Sequence, residues 1–288
     1  MLVAGALFAT MGVFAKLLAG QFSGAELSLY RSLTGLVAVG TFMWWKRQSL
    51  ATPFWKGHFW RGLTGTISLI AYFYAMTQLP LATAIALNYT SPLWLTLLST
   101  ILPGERFTPR LVLAVLLGFI GAALLLRPTF SGANALAGFI GLASGFFAAC
   151  AYVNVKKLGD AGETEWRVVF YFAVAGSVGS GLTQGVVEQD FHPVNLGNVG
   201  LLLGVGVAAT LAQLAMTRAY HSGNTLVVGA FAYSTVIFAS LAGVFIFDEL
   251  LPPVAWIGMA IIIASGLLAK SASERKGDKL PALPAEED

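Results

Sequence analysis

Residues 62–126 slide onto residues 206–270 without a gap, at an offset of 144, half the chain length. Ten of the 65 positions then match. The common pairs, such as Gly62/Gly206 and Thr66/Thr210, are accompanied by rarer ones, Tyr89/Tyr233, Glu105/Glu249 and Pro109/Pro253, that fall in order. Self-similarity at a fixed offset marks a chain built twice from one structural unit. Whatever this sequence folds into must therefore pack two similar halves against each other.

The solvent for those halves follows from hydropathy. Apolar residues make up 57% of the chain and charged residues 11%, with a mean hydropathy of +0.75. A soluble domain carries about 25% charged residues, so this surface cannot be covered with ions. Apolar stretches of about 20 residues, the length that spans a bilayer as a helix, recur along nearly the whole chain. The 32 glycines suit close helix contact in lipid. Residues 1–20 read as the first spanning helix, with no clear cleavage site for a leader. Breaks at Gly, Pro and charge clusters predict ten spans near 2–20, 25–45, 59–78, 81–102, 109–126, 137–157, 167–186, 198–219, 224–247 and 253–270. The segment 271–288 is polar, contains Pro281 and Pro284, and reads as a disordered cytoplasmic tail.

Loop charge supports that count. With the N-terminus inside, 14 of the 17 basic residues fall on the inner side, Arg61 among them, and only Lys16, Arg31 and Arg127 fall in the outer half. This is the positive-inside asymmetry, and it puts both termini in the cytoplasm. Five spans per half is odd, so the second half enters the bilayer from the opposite side. The fold expected is an all-α integral membrane protein of ten transmembrane helices, arranged as two inverted five-helix repeats, 1–130 and 131–270, around a central cavity. Such pairs are a hallmark of carriers that work by alternating access.

The stretch Ala75–Trp94, followed by Pro103–Pro109 and Gly118–Gly121, resembles an EamA repeat; Tyr233–Thr235 and Phe247–Leu250 carry a degenerate second copy with Val236 in place of Pro92. The resemblance covers about 270 residues and implies membership of the EamA family of the drug/metabolite transporter superfamily. It implies a carrier in a bacterial inner membrane and leaves the cargo open, since members move amino acids, other metabolites, nucleotide-like compounds or vitamins.

Candidate cargo residues lie on helical faces at depth. Asn88 and Ser91 share one face of the fourth span, and Pro92 frees a carbonyl near Asn88. Thr235 sits on the equivalent face of the ninth. Tyr89 and Tyr233 are symmetry mates, each offering a ring and a hydroxyl. Tyr72, Trp94, Tyr152, Asn154 and Gln213 add aromatic and amide groups. Helix packing or interhelical hydrogen bonding explains each of these as well as cargo contact does. Arg31, about two turns into the second span, is suited to hold a carboxylate in two parallel hydrogen bonds, or to tie helices together. Lys16 reads as snorkelling. Glu105 and Glu249 read as caps of the helices that start at Pro109 and Pro253. Trp44, Trp45, Trp55 and Trp60 read as interfacial anchors.

No nucleophile–base set, phosphate-binding glycine loop, or metal-ligand spacing among His58, His192, His221 and Cys150 is present. No enzyme activity, cofactor, metal or nucleic-acid partner is therefore expected; the bilayer and a small molecule are. The sequence does not specify an oligomeric state, and a monomer is compatible with it. The expected function is secondary transport of small amphipathic metabolites, amino acids first, by export. The alternative is import or exchange of a larger planar metabolite such as a vitamin or nucleoside derivative.

Overall fold

The computed structural model describes residues 1–101, 113–114, 116–118, 120–121, 124, 134–223, 228 and 231–277. Among these residues there is no strand. The helices are α1 (Leu2–Leu18), α2 (Gly24–Trp45), α3 (Trp55–Gln78), α4 (Leu81–Asn88), α5 (Ser91–Ile101), α6 (Asn134–Asp160), α7 (Glu165–Thr183), α8 (Val199–Ser222), α9 (Ser234–Phe247) and α10 (Pro253–Gly277). Described positions between 113 and 124 are also helical. Glu105 and Pro109 lie outside the described residues.

Local sequence explains several boundaries. Ser23 accepts from the Glu26 amide while the Glu26 carboxylate accepts from the Ser23 amide, a reciprocal cap that starts α2. Helix α3 begins at Trp55, a full turn before the sequence places it. Its last carbonyls, those of Met76 and Leu79, accept from the Lys16 ammonium at 3.3 and 2.5 Å. Lys16 therefore ties α1 to the end of α3 instead of reaching for the surface; cations suit helix C-termini. Beyond the predicted tenth span, α10 includes residues 271–277, since Ala, Ser, Glu, Arg and Lys there are compatible with helix.

The fourth span is two helices. α4 ends at Asn88 and α5 starts at Ser91, because Pro92 has no N–H to give the Asn88 carbonyl and its ring crowds that carbonyl. The Thr90 hydroxyl bridges the gap by donating to the Leu87 carbonyl at 2.7 Å. The second half breaks at the matching tyrosine: residues 231–232 are helical, Tyr233 is a turn and α9 follows. Val236 in place of Pro92 does not remove that break.

Among the described residues, two helices, Ala135–Asp160 and Val199–Ser222, are long and apolar enough by themselves to cross a membrane; Leu2–Leu18, Ser234–Phe247 and Pro253–Ser265 are shorter apolar helices. α2 and α3 each carry an arginine that is buried inside the bundle. Val37, Leu182, Val187 and Phe245 are among many large apolar side chains left exposed, far more than water tolerates. Trp44, Trp45, Trp55 and Trp60 are exposed as well, as expected of anchors.

The most extensive packing runs α3 on α6, α1 on α8, α2 on α7, α2 on α8 and α3 on α7. Two glycines, Gly35 and Gly179, allow close approaches between these helices. A Cβ on Gly35 of α2 would stand 3.2 Å from the Thr210 hydroxyl of α8, and one on Gly179 of α7 would stand 2.6 Å from the Thr66 methyl of α3.

Candidate functional site

A cavity of about 60 Å³ lies where α1, α2, α3, α4, α6, α7 and α8 meet. Its polar wall consists of Arg31, Arg61, Asn88, Gln213 and three tyrosines, Tyr72, Tyr89 and Tyr152; Phe8, Met11, Leu69, Phe172 and Met216 supply the apolar wall. One water needs at least about 10–15 Å³ of such space, so the cavity holds roughly four. Ligand pockets are about 300–1,000 Å³, so this cavity is smaller than a typical ligand pocket.

Each group is placed by its helix. Arg31 is the eighth residue of α2 and Arg61 the seventh of α3, about 10 Å along from each helix start. They are 6% and 2% exposed. Both guanidinium groups lie over the ring of Phe172, 5.2 and 3.9 Å from its centroid. Cation–π attraction of this kind strengthens once water is excluded. Arg31 Nη2 also donates to Gln213 Oε1 at 3.3 Å. Gly65, one turn beyond Arg61, leaves the room its guanidinium occupies: a Cβ there would overlap Arg61 Nη1 and stand 2.8 Å from Phe172 Cε2.

Asn88 caps the break between α4 and α5 and is held by α6. Its amide donates to Ser144 Oγ at 2.9 Å, Ser68 Oγ donates to the Ser144 carbonyl at 2.9 Å, and Ser144 Oγ donates to the Gly141 carbonyl at 2.6 Å. Tyr152 is stacked on Tyr220, with centroids 5.2 Å apart. The broken helix thus leaves Asn88 and Tyr89 at the cavity, with the Asn88 side-chain amide held by Ser144 of α6.

Of the residues the sequence nominates, Arg31, Tyr72, Asn88, Tyr89, Tyr152 and Gln213 come together at this cavity. Five do not line it. Ser91 is buried in the first turn of α5, near the Tyr152 hydroxyl. Trp94 packs edge-on to Phe146, centroids 5.4 Å apart. Asn154 turns back along its own helix and donates to the Cys150 carbonyl at 3.0 Å. Tyr233 is 2% exposed within the main apolar core, and Thr235 abuts Gly5 of α1. The sequence places Arg61 on the inner side, whereas it lines the cavity, because the early start of α3 sets it a turn deeper.

Two clusters close the ends of the bundle. At the start of α3, His58 Nε2 lies 2.9 Å from Glu163 Oε2, while Glu163 Oε1 accepts from Thr52 at 3.0 Å and from Arg167 at 2.8 Å. Burial would raise the Glu163 carboxyl, but its bonds to His58, Arg167 and Thr52 outweigh that and hold it below the ordinary 4.5. At the other end, the Glu26 carboxylate accepts from the His192 amide at 2.8 Å and lies 2.8 Å from His192 Nδ1. There too Glu249 Oε1 accepts from the Leu81 amide at 2.8 Å, so it caps α4 of the first half and not the helix starting at Pro253. Among the described residues, no group of three or more His, Cys, Asp or Glu is placed to hold a metal.

A family model described as the EamA-like transporter family matches residues 1–127. A pseudopaline exporter of Pseudomonas aeruginosa is 29% identical over 269 residues, covering 93% of each chain. A riboflavin transporter of Vibrio cholerae is 30% identical over 271 residues, covering 92% of this chain and 89% of its own. A solved crystal structure superposes with a TM-score of 0.68 at 20% identity, covering 95% of this chain and 99% of that one, which establishes a shared fold. The relatives are transporters, and a membrane protein that handles small molecules is what they and the helical bundle have in common. This chain belongs to the EamA-like transporter family.

Proposed function

We propose that this protein is a secondary carrier that exports small amphipathic metabolites, amino acids or compounds like them, across the bacterial inner membrane by alternating access. The observation that carries the reading is the composition of the cavity. Residues 1–130 supply Arg31, Arg61, Tyr72, Asn88 and Tyr89, while residues 131–270 supply Tyr152, Phe172, Gln213 and Met216. A pocket walled by both halves opens to one side or the other when the halves rock.

The inverted ten-helix arrangement, with both termini cytoplasmic, is part of the proposal. Exchanging the halves turns α1 on α8 into α6 on α3, and α2 on α8 into α7 on α3, and all four pairs occur. The same offset of 144 turns Gly35 against Thr210 into Gly179 against Thr66, and both approaches occur. These matched pairs support the reading of two related halves. The pseudopaline exporter among the relatives supports outward movement.

A second reading, a carrier for a planar vitamin or nucleoside derivative, is favoured by the riboflavin transporter at 30% identity and by the aromatic faces of Tyr72, Tyr152 and Phe172. Counterflow of labelled amino acids and of riboflavin in proteoliposomes separates the two. Exchange of an amino acid is expected; exchange of riboflavin alone would replace the first reading with the second.

A further inference from the structure

Resting on the carrier reading above, we propose that the cargo is a net-anionic metabolite with two carboxylates, one held by Arg31 and the other by Arg61. Both guanidinium groups are buried, both line the cavity, and both lie over the single ring of Phe172. Neither forms an ion pair: among the described residues the pairs are His58–Glu163, Lys156–Asp160, Arg167–Glu163 and His192–Glu26. The Nε atoms of both arginines are buried without a hydrogen-bond partner, and the bond from Arg31 to Gln213 is to a neutral amide at 3.3 Å. Two positive charges thus share one small cavity with no acid to balance them. Buried charges at membrane depth are costly unless paired, and such residues mark substrate sites.

The repeat itself argues that this charge is not there for packing. At the offset of 144, Arg31 corresponds to Ala175 and Arg61 to Val205. Helices α7 and α8 make the symmetry-related contacts with an alanine and a valine at those places. The charge is present in one half only, and both arginines line the same cavity.

The match to a diacid follows from charge and geometry. Each guanidinium presents a planar fork that fits a carboxylate with two parallel hydrogen bonds. A monocarboxylate leaves one arginine bare. A simple zwitterion has one carboxylate for two guanidinium groups, so among amino acids the acidic ones fit this lining. The tyrosine hydroxyls and the Asn88 amide then remain for the polar backbone of the cargo.

The test uses the full chain, purified and reconstituted. Probes are succinate, glutarate and glutamate; monomethyl succinate; leucine and riboflavin; and sodium chloride at matched ionic strength. Thermal stabilisation in detergent reports binding, and counterflow in proteoliposomes reports transport. The expected result is that a dicarboxylate stabilises and exchanges, at least tenfold better than its monomethyl ester. Arg31→Gln and Arg61→Gln should each shrink that discrimination to within about threefold, whereas Lys156→Gln should leave it intact. A merely structural arginine would lower both affinities together and keep their ratio.

Exchange of leucine or riboflavin, with neither Gln substitution affecting it, overturns the diacid proposal and leaves the carrier reading standing. Arginine-dependent binding of dicarboxylates with no probe crossing the membrane supports the anion site and overturns the carrier reading. Stabilisation by chloride equal to that by dicarboxylates, or no response to any probe, overturns the proposal.

Discussion

Glu163 offers the sharpest test of how the bundle is held at the end where α3 begins. The carboxylate is almost wholly shielded, its side chain 2% exposed, and it serves three partners on three segments: Thr52 before α3, His58 in α3 and Arg167 in α7. Glu163→Ala removes all three bonds. Arg167 is not orphaned, since its Nε and Nη2 also donate to the Ser49 carbonyl at 3.1 and 3.0 Å. His58 fares worse, because its Nδ1 already lacks a partner and its Nε2 would lose the one it has. Breaking a buried pair costs about 3–5 kcal/mol, and the retained Arg167 contacts place this case near 3. Glu163→Gln keeps an acceptor for Thr52 and Arg167 but loses the charge, a loss of about 1–2 kcal/mol. Because the folded carboxyl lies below its ordinary 4.5, the contribution is fully present above about pH 5 and disappears as the pH falls through the folded value. Reversible unfolding in mixed micelles, followed by tryptophan fluorescence at pH 7 and pH 3, measures both quantities. A loss below 1 kcal/mol for Glu163→Ala at pH 7, or an undiminished loss at pH 3, would refute the reasoning.

Gly65→Ala places a methyl group on the guanidinium of Arg61 and against the Phe172 ring. Transport should fall at least tenfold while the protein still inserts and melts cooperatively; wild-type counterflow would show that the guanidinium position does not matter. Lys16→Met removes the two bonds to the carbonyls of Met76 and Leu79 and should cost about 1–2 kcal/mol in the same unfolding assay, against no measurable change if Lys16 only rests at the surface.

Much of the architecture is legible in the sequence because the bilayer dictates helix length and the repeat dictates pairing. α1, α2 and α8 fall within a few residues of their predicted bounds. Six of the eleven nominated site residues reach the cavity, since amides, tyrosines and an arginine at membrane depth have few places to go. What the sequence does not carry is rotation and depth. Arg61 follows Trp60, an anchor residue, and so reads as a surface cation; only the start of α3 at Trp55 puts it inside. Tyr233 and Thr235 match Tyr89 and Ser91 by offset, yet Thr235 abuts α1, because Gly5 admits that hydroxyl to close contact. Asn154 finds its partner one turn back on its own helix, a choice that no spacing rule reveals.

The interlocking of the halves bears on how the protein is made. A ribosome adds about 5–20 residues each second, so Phe172 and the helix that bears it follow Arg61 by roughly 5–20 s. During that interval α2 and α3 have entered the membrane without their main packing partners, which are α6, α7 and α8. The nascent first half must therefore wait with two guanidinium groups that only later synthesis can shelter. Unpaired charge is costly in hydrocarbon, so these arginines need water or head groups around them until α7 and α8, which carry Phe172, Gln213 and Met216, complete the cavity.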